Sequence, residues 1–217
     1  MTLSEENYLK AIFHLYSEHE EEVNTNAIAE CMNTKASSVT DMLKRLSDKG
    51  LINYVKYQGV TLTPQGRQKA IAIIRKHRLW EVFLVEKLSF TWDEVHEIAE
   101  ELEHIESDKL IDRLDAYLDY PSTDPHGDPI PNKEGVFSTT LKTLLSELNA
   151  GDKAICMAVK NTSKEFLVYL TKMEIALGDT LEVVTKEVFD NSMTVNLRGK
   201  EMTLSPMVCR NIYVQKK

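Results

Sequence analysis

The chain has 217 residues, 42% of them hydrophobic and 28% charged, a balance that fits a soluble globular protein with room for two or three small domains. No run of 18 apolar residues marks a membrane span, and MTLSEENYLKAI lacks a basic and then apolar leader, so a cytoplasmic protein with no membrane partner is expected. Three cysteines without CxxC spacing argue against a disulfide framework or a thiolate zinc site, and Cys31, Cys156 and Cys209 are expected as small core residues.

The net charge of -8 is unevenly spread. Residues 33–78 hold ten Lys/Arg against Asp41 and Asp48, whereas residues 81–128 hold fifteen Asp/Glu against Lys87, Lys109 and Arg113. A basic module suited to phosphates is followed by an acidic one suited to cations.

In chain order, Ser4 is an acceptable N-cap for a first helix over LSEENYLKAIFHLYSEHE, with Tyr8, Ile12, Leu15 and Tyr16 on one face. A short helix, TNAIAECM, a turn at Asn33 and Thr34, and a helix over KASSVTDMLKRLSDKG ended by Gly50 make a helix-turn-helix. LINYVKYQG and VTLT alternate about a turn at Gln58 and Gly59, and Pro64 then opens a long helix. Helix-turn-helix plus hairpin is a winged helix. In its second helix Val39, Met42, Leu43 and Leu46 can face the core. That leaves Lys35, Ser37, Ser38, Thr40, Asp41, Lys44 and Arg45 outward, and the wing adds Lys56, a set suited to bases and phosphates. A single winged helix binds modestly, so a homodimer on double-stranded operator DNA is expected.

The long helix ends in RKHRLWE, where His77 and Glu81 share a face. A second helix is expected over HEIAEELEHIE, with Val95, Ile98, Ala99, Leu102 and Ile105 on an apolar stripe and His96, Glu100, Glu103 and His104 on another side. An acidic helix face alone is usually a solvated one. Two consecutive helices with six nitrogen and oxygen donors point instead to a divalent cation such as Mn2+, Fe2+, Zn2+ or Co2+, without thiolate. HEIAE is not HExxH, because its fifth residue is Glu100, and no nucleophile or phosphate-binding loop accompanies it, so no enzyme activity is expected. A winged-helix regulator indifferent to metal explains the basic module equally well, but not the spacing of the six donors.

Residues 121–135 carry four of the six prolines and two glycines, and are expected as a linker or extended loop. Beyond it ICMAV, FLVYL, TLEVV, MTVNL and IYV are short β-rich runs separated by LGD, FDNS and RGK turns. The fold class is therefore mainly α with a β-rich C-terminal barrel or sandwich.

RKHRLWE, VHEIAEELEHIESD, SSVTDMLKRLSDKGLI and HGDPIPNKEG together resemble the metal-dependent repressors of the diphtheria toxin repressor and manganese transport regulator family, in order over about residues 5–135. The resemblance implies three domains: a winged helix-turn-helix over 1–72, a helical metal-binding and dimerisation domain over 73–137, and an SH3-like (FeoA-like) domain over 148–217. It implies repression of metal-uptake genes, with no organic cofactor. His77, Glu81 and His96 match one group of the family's ligands, completed from the third domain, where Glu165 and, less closely, Ser163 align. Glu100, Glu103 and His104 match the other, completed from the first helix. Glu100 stands where the iron-responsive branch has Cys and the manganese-responsive branch a carboxylate, which favours manganese, with iron(II) the alternative. Asn7 replaces Met or Asp of those branches, and its amide oxygen can still ligate. Lys10 replaces a bridging Glu, which argues against a close two-metal cluster.

Overall fold

A computed structural model describes residues 1–19, 22–55, 58–138 and 142–217. It divides into two compact units, one of residues Met1–His77, Glu100–Ile111 and Pro131–Val136, the other of Arg78–Ala99, Asp112–Ile130 and Phe137–Lys217.

The first unit contains α1 (Leu3–His19), α2 (Thr25–Cys31), α3 (Ala36–Asp48), β1 (Ile52–Val55), β2 (Gly59–Leu62) and the first half of α4 (Pro64–Leu88). Helix α1 begins earlier than expected. Thr2, not Ser4, caps it: Glu5 N–H donates to Thr2 Oγ1 and Thr2 N–H to Glu5 Oε2, the reciprocal pairing of a capping box. Asn24 caps α2 by accepting from Ala27 N–H, and Gly50, at φ 68°, takes the left-handed turn that ends α3. Val39, Met42, Leu43 and Leu46 bury one face of α3, as their spacing predicts, and α3 packs on α2 and β1. The wing is an antiparallel hairpin pairing Ile52 with Leu62 and Val55 with Gly59. Lys56 lies outside the described residues.

The HEIAEELEHIE stretch is not one helix. α5 covers Val95–Leu102 and α6 Asp108–Tyr117, and Glu103 and His104 occupy the turn after α5. The break has a local cause, because Ser107 Oγ accepts from Leu110 N–H and starts α6 instead of letting α5 run on.

The second unit carries an antiparallel six-stranded sheet of order β3-β8-β4-β5-β6-β7: β3 (Thr143–Leu144), β4 (Lys153–Val159), β5 (Thr180–Lys186), β6 (Met193–Leu197), β7 (Lys200–Leu204) and β8 (Ile212–Lys216). Met193, Val195 and Leu197 alternate inward along β6, each contributing roughly 1.5–3 kcal/mol by burial. Arg198 and Gly199, both at positive φ, make the two-residue turn between β6 and β7. FLVYL, expected as a strand, lies in helix α7 (Lys164–Lys172): Phe166, Leu167 and Leu170 bury a face with helical spacing, while Tyr169 is exposed. A four-residue helix, α8 (Pro206–Cys209), precedes β8. Cys156 and Cys209 belong to this core as expected, where burial pushes their thiols up to about 12 and about 11. Cys31 departs from the expectation and is exposed at the end of α2.

Of the linker or extended loop expected over the proline-rich segment, the structure has the loop, and it is tightly held. Asp124 Oδ1 accepts from His126 N–H and Asp128 N–H, Asp124 N–H donates to the Asp128 carbonyl, and the His126 carbonyl accepts from Val159 N–H on β4. Gly127, at φ 85°, passes so close to β4 that a Cβ would stand 2.1 Å from the Met157 carbonyl oxygen.

Candidate metal centre and DNA-reading face

Two groups of buried nitrogen and oxygen donors stand out, one in each unit. In the first unit Glu103 is fully buried and accepts at both oxygens. His77 Nδ1 is 2.6 Å from Oε2, and the Lys10 ammonium is 2.7 Å from Oε1 and 2.8 Å from Oε2. Burial pushes the Glu103 carboxyl up, but the His77 hydrogen bond and the Lys10 charge outweigh it and hold the group below the usual carboxylate range. Glu100, half-exposed, reaches the same ammonium at 3.2 Å.

His104 Nδ1 lies 2.6 Å from Glu6 Oε2. An ionised Glu6 can only accept, so Nδ1 carries the proton and Nε2, 3.8 Å from Glu103 Oε1, presents its lone pair. A carboxylate that fixes the outer nitrogen of an imidazole is the usual support of a metal-binding histidine. Glu6 was not singled out by sequence reasoning. It lies in an acidic run, EEN, whose neighbours mask it.

Asn7, the next residue on α1, has a buried amide oxygen with no hydrogen-bond partner. One turn from Lys10, it lies on the helix face that reaches Glu103. An orphaned buried acceptor costs about 1–3 kcal/mol, and a cation would satisfy it. Carboxylates, an imidazole and an amide oxygen thus fit a hard or borderline divalent cation at this place.

In the second unit Glu81, Asp124 and His126 are all buried and offer ligand atoms within 4.8 Å of one another. His126 Nε2 is 2.8 Å from the Trp92 carbonyl oxygen, which can only accept. Nε2–H therefore donates to that carbonyl, and Nδ1 faces Glu81 Oε2, 3.7 Å away, where the protonated ring presents N–H to the carboxylate and only loss of that proton would free a lone pair for a cation. Burial and the neighbouring Glu81 charge push the Asp124 carboxyl up to about 7, with Arg78, 3.4 Å away, opposing them in part. Burial lowers His126, but the Glu81 hydrogen bond and charge prevail and raise it to about 9. Crowded, buried carboxylates are what a bound cation would relieve.

His96 is half-exposed, with Nδ1 3.6 Å from Glu81 Oε1, so Glu81 stands between His96 and His126. His96 and Ser163 line one cavity of about 290 Å³ with Trp92 and Lys164. Glu165 is exposed in the first turn of α7 and joins no group of three potential ligands among the described residues. Asp124 and His126 escape sequence reasoning because residues 121–135 read as a linker or extended loop, where no donor set is sought. The signal was there: a histidine between two aspartates in DPHGD.

On α3, Lys35, Ser37, Ser38, Asp41, Lys44 and Arg45 are exposed, whereas Thr40 is half-buried and donates to the Ala36 carbonyl. At the far end of α3, Lys49 Nζ is 2.6 Å from Glu5 Oε1, and the Lys49 ammonium holds the Glu5 carboxyl below its usual range. Consecutive residues of α1 therefore face two ways: Glu5 to the end of α3, Glu6 to His104.

A helix-turn-helix with a hairpin wing, together with buried donor groups on the following helices, defines a DNA-binding regulator that answers to a cation. Residues 1–60 match the N-terminal DNA-binding domain of the iron-dependent repressors, 63–132 their metal-binding and dimerisation domain, and 143–216 the FeoA domain. The chain is similar to a manganese-dependent transcriptional repressor solved in complex with manganese, with 34% identity, 98% of this chain and 100% of that one covered, and a TM-score of 0.87. Among curated proteins it is 37% identical over 55% of its length to an uncharacterised helix-turn-helix regulator of Methanocaldococcus jannaschii, covering 95% of that protein. It is 32% identical to the iron-dependent repressor IdeR of Mycobacterium leprae over 86% of this chain and 72% of the relative. The chain belongs to the diphtheria toxin repressor and manganese transport regulator family of metal-dependent, DNA-binding transcriptional repressors. No helix among the described residues is long and apolar enough to cross a membrane.

Proposed function

We propose that the chain, as a homodimer on double-stranded operator DNA, represses metal-uptake genes when a divalent cation, Mn2+ before others, fills its donor groups. Asn7, Glu100, Glu103 and His104 form the first ligand set, with Glu6 and His77 orienting His104 and Glu103. Glu81 anchors the second set, with Asp124 and His126 on its buried side and His96 on its exposed side. Glu165 stands outside both. The bound cation would supply the positive charge that joins α1 to the Glu103–His104 turn.

The observation that carries the choice of Mn2+ is the donor chemistry. Glu100 offers a carboxylate, and Cys156 and Cys209 are sequestered in the sheet core, so both sets are oxygen and imidazole without thiolate. The similarity to iron-dependent repressors supports Fe2+ as the second reading, and Zn2+ or Co2+ suit the same donors in vitro. The chain's own residues then link site to DNA. Whatever holds α1 against His104 through Glu6 also fixes Glu5, and with it Lys49 at the end of α3, whose exposed face, from Lys35 to Arg45, meets the groove. A ligand shifts such an equilibrium only by its differential affinity for the two states.

The test is fluorescence anisotropy of chelator-stripped protein on DNA from its own upstream region, titrating Mn2+ and, anaerobically, Fe2+ at fixed salt. The expected result is activation of about 5- to 150-fold, reached at lower Mn2+ than Fe2+. Activation by Fe2+ first would overturn the choice of metal, and tight binding without any metal response would overturn the mechanism.

A further inference from the structure

Among the seven residues gathered at the first donor group (Glu6, Asn7, Lys10, His77, Glu100, Glu103 and His104), Lys10 cannot ligate while protonated. Lys10 Nζ sits 2.7 Å and 2.8 Å from the two oxygens of Glu103 and 3.2 Å from Glu100 Oε1. Its side chain is 13% exposed and that of Glu103 not at all. A buried carboxylate without a counter-charge is costly, and here the ammonium supplies it from the same chain. It does so by covering both oxygens of the residue that a divalent cation would most need.

We infer that Lys10 is a tethered cation that holds the metal-free site closed and sets the free-metal concentration at which it loads. This rests on the proposed ligand role of Glu100, Glu103 and His104. A cation entering between Glu103 and His104 competes with the ammonium for the same lone pairs, so loading requires Lys10 to swing away from Glu103. The exchange puts a divalent cation where a monovalent ammonium stood, so Glu103 is compensated before and after. It also gives α1 two docked states, one pinned through Lys10 and one through Asn7, whose amide oxygen has no partner in the first.

The experiment compares wild-type protein with Lys10→Met by calorimetric Mn2+ titration and by thermal unfolding with and without Mn2+. Lys10→Met removes the competitor. It should lower the unfolding temperature of the metal-free protein, tighten Mn2+ binding by about 5- to 150-fold, and enlarge the upward shift in unfolding temperature that Mn2+ produces. Unchanged or weaker Mn2+ binding in the variant would overturn the inference, since a lysine that merely supports the fold, or that stays on Glu103 beside the ion, gives that result. A second measurement needs no variant: acetylation of Lys10 in the wild-type chain, read by mass spectrometry, should be slow without metal and rise once Mn2+ is added. Equal protection in both states would overturn the inference even where Lys10→Met fails to fold. If wild type and a Glu103→Gln, His104→Ala chain bind Mn2+ identically, the ligand assignment itself has failed, and Lys10 falls with it.

Discussion

The two donor groups solve the same electrostatic problem in opposite ways. Around Glu103 the charges are balanced in advance: Lys10 and His77 face one buried carboxylate, which is held below its ordinary range. Around Glu81 they are balanced only in part: Arg78 and His126, the latter raised to about 9, face two buried carboxylates, and Asp124 still rises to about 7. The first group is a site closed by its own counter-ion, the second a site strained toward protonation. Buried acidic clusters of similar composition can thus answer a cation differently according to how far the chain's own positive charges offset the carboxylates.

The largest expected effect comes from breaking the first group. Glu103→Gln with His104→Ala removes two ligands and the partner of Lys10, and should abolish metal stimulation of operator binding, a loss of about 5- to 150-fold, while the protein still unfolds cooperatively. Undiminished activation in the anisotropy titration would place the controlling ion elsewhere.

The groups should also respond to pH with opposite signs. Glu103 is lowered, so its contribution to stability is present above its unfolded value of 4.5 and lost on acidification. Asp124 is raised from 3.8 to about 7, so its contribution is full below 3.8 and lost as pH rises through 7. His126, raised from 6.5 to about 9, contributes fully below 6.5 and nothing above 9. The metal-free second unit should therefore lose stability between pH 6 and 9, on the order of a few kcal/mol, and Mn2+ should remove much of that loss. Hydrogen exchange read separately over residues 1–77 and 137–217 at pH 6 and 9 checks it; a decline confined to the first unit would reverse the comparison. Smallest is Glu5→Gln, which cuts the pair with Lys49 and should weaken metal activation only a few-fold, since a half-exposed pair is worth about 1 kcal/mol or less. Restoration by exchanging the two charges would show that the pair transmits the signal instead of merely stabilising α1.

How much of this was legible in the sequence depended on whether the signal was local. The recognition helix was readable because Val39, Met42, Leu43 and Leu46 repeat at helical spacing and Gly50 ends the helix. FLVYL misled because five apolar residues satisfy strand and helix alike, and only the sheet packed beneath Phe166, Leu167 and Leu170 decides. The donors His77, Glu81, His96, Glu100, Glu103 and His104 were readable as a set from their spacing, but their further buried partners were not. His77 turns to Glu103 and Glu81 to His126, 45 residues further on in a loop held by Gly127 against β4. Lys10 announced itself as a departure from the family pattern, and its place on Glu103 is a tertiary fact. Glu6 and Asn7 likewise acquire meaning only through a turn almost a hundred residues away.

The most direct test of the ligand assignment is anomalous diffraction at the manganese edge from crystals of the Mn2+-loaded protein. One peak is expected within coordination distance of Asn7, Glu103 and His104, with Lys10 turned away from Glu103, and a second at Glu81, Asp124 and His126. Manganese at neither place, in protein that Mn2+ drives onto DNA, would contradict that assignment.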